Sequence, residues 1–489
     1  MRPLEVENMG ANGHGERARK LPKEFVWGYA TAAQQIEGAT STDGRGESIW
    51  DRFAKQQKDK VQDGSNGDVT CDSYHLYKTD VALLKSYKAK GYRFSLSWPR
   101  IIPNGGRDDP VNHKGIEYYN NLIDELLANG ITPFVTRSRR SIRGMVRSPV
   151  DPGTDVPRRN KDEVVKDFTR YADVCFEAFG DRVKNWITIN EPYVVTIPGW
   201  FNGDCAPGRS SKRPYSAAGD SDTEPWIVGH NLMVAHAHAS KLYSRKYRPS
   251  QGGKISITLN GDWAEPWDDT PESYRAKERK MAAAIGWFAD PIFLGKESVL
   301  MRQMLGERLP TFTPEEWELL RDSSDYYGCN TYTTNYIRDG GDDVSTGCAE
   351  LLFENAKGES LGEPGASPWL VSVPWGFRRH LKYLYKRYRK PIFVTEAGYA
   401  SKDEHLMTRE EACNDVDRAA YYLDNLLAAV VDDGVDVRSY FGWTLMDNWE
   451  WSEGYIPRFG VTYVDFETRK RYPKLSSRRV TEWFDKHLA

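Results

Sequence analysis

The chain has 489 residues, 39% hydrophobic and 28% charged, with a net charge of −3 and a sequence pI near 6.4. A chain this close to neutral presents no excess of basic residues for nucleic acid or an anionic membrane. No window approaches the roughly eighteen apolar residues that a membrane-spanning helix needs.

Residues 1–20 are polar, with no periodicity, and are expected to form a disordered extension ahead of a single domain over 21–489. They contain no apolar signal core. Six cysteines (Cys71, Cys175, Cys205, Cys329, Cys348 and Cys413) form no CxxC pair, and no Asn-x-Ser/Thr acceptor occurs. These features predict a cytoplasmic protein with free buried thiols.

A first strand is predicted over 25–30 and a second over 92–98. Between them Val81, Leu84 and Tyr87 keep helical spacing, with Gly91 placed to end that helix. A helix over 113–129, with Ile116, Tyr119, Ile123 and Leu126 on one face, leads to a third strand over 131–136. A helix near 164–179 precedes a fourth strand that runs into Asn190-Glu191-Pro192. A helix over 226–247 precedes a fifth strand over 255–259, and Thr313-Pro314-Glu315-Glu316 reads as a capping box opening the helix before a sixth strand over 326–330. Helices over 377–389 and 415–432 precede a seventh strand ending near Glu396 and an eighth over 440–445. Eight strands alternating with helices predict an α/β fold, a single closed (β/α)8 TIM barrel with long βα loops at its C-terminal face. The stretches 41–75, 200–225, 260–275 and 336–376 would supply those loops. A doubly wound open sheet competes, but no Gly-rich first turn supports it.

Two apolar strands end in a carboxylate, Trp186-Ile187-Thr188-Ile189-Asn190-Glu191 and Phe393-Val394-Thr395-Glu396. Desolvating a glutamate at such a place is costly unless a partner charge or a ligand stabilises it. The two lie 205 residues apart, so only a fold that gathers distant strand ends can bring them together. A facing pair suits glycosidic cleavage, one carboxyl protonating the leaving oxygen and the other attacking the anomeric carbon. Taken singly, each glutamate reads equally well as a salt-bridge partner. His236 and His238 sit two apart on a helix and read as solvated, and no HExxH, Cys/His cluster, Walker loop or dinucleotide fingerprint appears. No metal or cofactor is implied.

Thr188-Ile189-Asn190-Glu191-Pro192 and Val394-Thr395-Glu396-Ala397-Gly398 resemble the acid/base and nucleophile motifs of glycoside hydrolase family 1, the retaining β-glucosidases. The resemblance covers roughly 21–136 and 161–486. It implies Glu191 as general acid/base and Glu396 as nucleophile. Asn190 would hold the 2-hydroxyl of the sugar, and Gln35, in Gln35-Ile36-Glu37-Gly38, would bind further glycone hydroxyls. Gln34 stands where the family usually has an aromatic residue. By the same resemblance Arg93 would pair with the nucleophile and Tyr332, in Asn330-Thr331-Tyr332, would hydrogen-bond it. The run from Trp443 to Trp451 resembles the sugar platform: Trp443 would stack on the pyranose, Glu450 would accept from the 4- and 6-hydroxyls, and Trp451 would stand beside it. A carboxylate at Glu450 argues against 6-phospho-sugars, and glutamate rather than glutamine at 191 argues against thioglucosidases. Trp369 would line the aglycone site.

The resemblance breaks after the third strand. Where the family continues with His-Trp-Asp and then Arg-Tyr-Gly-Gly-Trp, residues 137–159 carry seven arginines and no lysine. Ser141-Ile142-Arg143-Gly144-Met145-Val146 can be written TCG ATA CGG GGG ATG GTT, and shifting by one nucleotide spells Arg-Tyr-Gly-Gly-Trp. Residues 137–160 are therefore read as the product of a frame or splice-boundary error or of a damaged gene, with a genuine lineage-specific basic loop as the rival, and sequencing the transcript between the codons of Thr136 and Lys161 would decide. Ala397 is a milder departure from a common asparagine.

The expected function is β-glucosidase action on small β-glucosides or cello-oligosaccharides by retaining double displacement, with a place in cellulose degradation. The rival expectation is a non-catalytic β-glucoside-binding protein or an inactive relic, because the strand-three sugar ligand is missing. Oligomeric state is left open.

Overall fold

The computed structural model describes residues 21–138, 161–430 and 434–488. The expected extension over 1–20 lies outside the described residues, as does the anomalous segment beyond Ser138.

Eight parallel strands close into a barrel: β1 Val26–Ala30, β2 Gly91–Ser95, β3 Thr132–Ser138, β4 Asn185–Asn190, β5 Lys254–Asn260, β6 Tyr327–Asn330, β7 Ile392–Ala397 and β8 Val437–Trp443. Closure is made by β1, which pairs with β2 on one side and β8 on the other. The strands are rich in β-branched and aromatic residues and almost wholly buried, as expected for a parallel sheet covered by helices. Phe134 of β3 meets Phe393 of β7 and Phe441 of β8, with ring centroids 6.1 and 4.8 Å apart. Those strands are not all neighbours, so the rings meet across the lumen. The barrel below the strand ends is thus a packed core rather than a pore.

The predicted helices appear at Ser73–Ser86, His113–Ala128, Lys161–Phe179, Glu224–Leu242, Pro314–Leu320, Pro374–Tyr388 and Val416–Val430. Thr313 and Glu316 form the expected reciprocal cap. Three readings need correction. Strand two stops at Ser95, because Trp98-Pro99 begins a short helix, Trp98–Ile101, where proline suits the first turn. The stretches read as loops carry structure of their own: Trp263–Pro266, Thr334–Asp339 and Ala349–Leu352 form a small three-stranded sheet. His236 is not solvated. Helix Glu224–Leu242 is buried on nearly every face, and His236 is bonded through Nδ1 to Thr188 Oγ1 at 2.7 Å. His238 is half-buried.

Beneath the loop that follows β8, Arg418, Lys474 and Arg458 interleave with Glu404, Asp415 and Asp447. Three cations and three anions balance. Lys474 Nζ lies 2.8 Å from Asp447 Oδ1 and also pairs with Glu404. Burial alone would raise the Asp447 carboxyl, but Lys474, Arg458 and Arg418 outweigh it and hold it below its ordinary range. At the opposite end of the barrel the C-terminal helix Leu475–His487 seals the floor, Trp27 stacking on Phe484 at 4.2 Å. There Leu21 pairs in parallel with Leu488.

Candidate active site

Glu191 stands immediately beyond β4, with a left-handed backbone (φ 50°), and Pro192 opens the helix Pro192–Thr196. That conformation costs a non-glycine residue about 1–3 kcal/mol and persists only where the surroundings fix it. Here the Glu191 N–H donates to Thr258 O at 2.9 Å, and Asn330 Nδ2 donates to Glu191 Oε1 at 2.6 Å. The strand therefore breaks at the carboxylate and turns it into the barrel mouth.

Glu396 lies inside β7 and is 1% exposed. So sealed a charge needs compensation. Arg93 of β2 pairs with Glu396 Oε1, also donates to Asn190 Oδ1, and reaches Thr395 O at 3.0 Å. The other carboxylate oxygen, Oε2, accepts from Tyr332 Oη at 2.6 Å. Gly398 explains itself sterically: a Cβ there would come within 1.9 Å of Trp443 O, so glycine lets β7 and β8 approach beside the site. Ala397 is buried as the last residue of β7 and pairs with Gly442.

Both glutamates line one cavity of about 510 Å³ at the C-terminal strand ends, a volume suited to a small ligand. Asn190, Tyr332, Trp369, Trp443, Glu450 and Trp451 line it too. Two expected residues do not. Arg93 acts from beneath, and Gln35 is fully buried, its Nε2 donating to Asn448 Oδ1 at 2.8 Å. Trp451 is braced by Trp50, at 4.7 Å between ring centroids, and Trp50 meets Trp449 edge-on at 5.6 Å. Gln34 does not line the cavity; it is held in a polar knot, donating to Asp51 and accepting from Arg45 and Ser48. Trp369, at 43% exposure, stands at the rim nearly parallel to Phe459.

Asn330, Asn260, Asp262 and Glu453 also line the cavity and were not expected. A polar residue ending a barrel strand was the available signal for Asn330 and Asn260; nothing in the local sequence marks the other two. Among the described residues the charged groups lining the cavity are all carboxylates, which disfavours an anionic ligand. Among the described residues no group of His, Cys, Asp and Glu is arranged to hold a metal ion.

A closed parallel barrel whose mouth holds two buried-strand carboxylates between indole walls defines a glycoside-cleaving enzyme. A family model described as Glycosyl hydrolase family 1 matches residues 17–487, and the chain belongs to that family. It is 55% identical over 473 residues to "Beta-glucosidase 1B" of Phanerodontia chrysosporium, covering 96% of this chain and 86% of that protein. Among solved structures it resembles a β-glucosidase from the fungus Humicola insolens in complex with glucose, at 46% identity and a TM-score of 0.91, over 96% of this chain and 99% of that one. It also resembles a rice β-glucosidase Glu→Gln variant in a covalent complex with glucose, at 39% identity and a TM-score of 0.87, over 96% and 98% of the two chains.

Proposed function

We propose that the protein is a β-glucosidase that releases terminal β-D-glucosyl residues from small β-glucosides or cello-oligosaccharides by double displacement. The observation that carries the mechanism is the unequal setting of two carboxylates on one cavity. Glu396 is gripped on both oxygens, by Arg93 and by Tyr332, and is assigned as the nucleophile. Glu191 touches a neutral amide and is assigned as the acid that protonates the leaving oxygen and then the base that activates water. The covalent glucose complex of the rice relative supports an enzyme-bound intermediate.

In this reading Trp443 stacks on the apolar face of the pyranose, Glu450 accepts from its 4- and 6-hydroxyls, Trp451 stands beside them, and Trp369 faces the aglycone. Asn190 Oδ1 is occupied by Arg93 and Asn330, so its amide nitrogen is the group that donates toward the 2-hydroxyl. Gln35 contributes from behind Asn448. A single catalytic domain in the cytoplasm, serving cellulose breakdown, is the setting we infer; its support is six free cysteines and the absence of a glycosylation acceptor.

The test is the hydrolysis of an aryl β-glucoside followed by proton NMR. The first-formed sugar is expected to be the β-anomer, and Glu396→Ala is expected to abolish turnover. Initial α-glucose would sink double displacement, and glucoside binding without turnover would make the protein a non-catalytic binder.

A further inference from the structure

Beyond β5 the chain passes through Gly261 to Asp262, opposite the residues that follow β6. One oxygen of this carboxylate, Oδ1, accepts hydrogen bonds from three consecutive residues: Thr331 Oγ1 at 3.1 Å, the Tyr332 N–H at 2.7 Å and the Thr333 N–H at 3.0 Å. The Gly261 N–H donates to Asn330 O at 3.0 Å and extends the same seam. Bonds from N–H groups to a carboxylate are roughly twice as strong as neutral ones, so the 331–333 backbone is clamped rather than merely capped.

The residue at the centre of the clamp is Tyr332. Its carbonyl accepts from Tyr421 Oη at 3.0 Å, and its ring meets Trp369 and Phe459 edge-on at 5.8 and 6.3 Å. Its hydroxyl donates to Glu396 Oε2. A carboxylate at Asp262 is expensive: burial raises its carboxyl above the ordinary range, although the Tyr332, Thr333 and Thr331 donors and Lys280 oppose the rise. Lys280, whose ammonium is itself lowered by burial, faces both Asp262 and Asp343. The cost of burying this carboxylate is explained if its oxygen fixes a bond the reaction needs.

We propose that Asp262 is a positioning residue for the nucleophile, acting through Tyr332: its Oδ1 sets the backbone from which the Tyr332 hydroxyl reaches Glu396 Oε2. The proposal rests on Glu396 as nucleophile. A misplacement of 1 Å remote from the chemistry costs about 100-fold in rate, and a hydroxyl that drifts this far no longer bonds the carboxylate.

The experiment is a double-mutant cycle on aryl β-glucoside hydrolysis, with thermal unfolding as the folding control. D262A is expected to lower kcat about 100-fold with little change in KM. D262N, which keeps an oxygen acceptor at the same place, is expected to stay within about tenfold of the parent, the cost of roughly one ordinary hydrogen bond. Because both changes break one link, D262A/Y332F should be no slower than Y332F, and the acid limb of kcat/KM should move alike in D262A and Y332F. Multiplied losses in the double variant, a D262A rate equal to the parent, or D262N as slow as Y332F each overturn the proposal. If D262A does not fold, the D262N rate alone decides by the same threshold. Turnover surviving in E396A would instead defeat the nucleophile assignment; an inert E396A beside an unaffected D262A defeats only the role of Asp262.

Discussion

Asn330 Nδ2 donates to Glu191 Oε1 across 2.6 Å, while Asn330 Oδ1 accepts from Thr395 Oγ1 at 2.7 Å. Thr395 is the chain neighbour of Glu396, so one amide joins the strand of the proposed nucleophile to the proposed acid/base, and its orientation is fixed by the bond at its far end.

Asn330→Ala should therefore move the alkaline limb of the kcat/KM profile to higher pH. The amide favours the ionised form of Glu191, and without it the proton is held more firmly. A hydrogen bond to a charged group is worth about 1.5–3 kcal/mol, which sets the scale of the loss. Glucosides whose leaving phenol needs no protonation should lose less rate than alkyl glucosides. A limb that stays in place would detach Asn330 from the acid/base.

Glu450→Gln tests the glycone wall. The carboxylate accepts from the 4- and 6-hydroxyls in the proposed pose, and losing a charge-assisted bond costs about 1.5–3 kcal/mol, or about 10- to 150-fold in kcat/KM. The preference for an aryl glucoside over its 6-deoxy analogue should shrink toward unity. An unchanged ratio of the two rate constants would remove Glu450 from the 6-hydroxyl.

Lys474→Met should destabilise the fold by about 3–5 kcal/mol, because it strands Glu404 and Asp447 without their shared cation in a sealed site. Denaturant unfolding measures the loss. Asp447 belongs to the loop between Trp443 and Glu450, so surviving enzyme should also bind glucose more weakly.

His380 gives a pH prediction for stability. It is fully buried, and burial pushes its pKa down to about 3, so the folded chain keeps it neutral. An unfolded histidine takes up a proton near pH 6.5. The unfolded state therefore binds more protons below that value, and the stabilising neutral form counts in full only above it. Stability should fall by about 1.4 kcal/mol per pH unit from about 6.5 toward 3 for this group. His380→Phe should flatten that slope in denaturant titrations at several pH values; an equal slope in both proteins would contradict the assignment.

How much of this was legible beforehand follows from where each signal lies. Glu191 and Glu396 end runs of apolar residues, and period and motif alone mark them. Asn330 ends a strand and so carries a weak polar signal, whereas Asp262 acts through partners supplied by the segment after another strand, and its neighbours in sequence do not announce it. His236 was misread because helical spacing cannot tell a helix buried all round from one with a wet face, and Glu224–Leu242 is the former. The small three-stranded sheet escaped because strands of four to six residues, drawn from two separate stretches, leave too little alternation to detect.

The pairing of Leu21 with Leu488 has a practical consequence. Both residues sit at the end of the barrel away from the catalytic mouth, so an anchor or fused domain attached near either one leaves the substrate's approach unobstructed. Their adjacency also makes a short bridge between them geometrically feasible, and new ends could then be opened in a surface loop without threading the chain through the core.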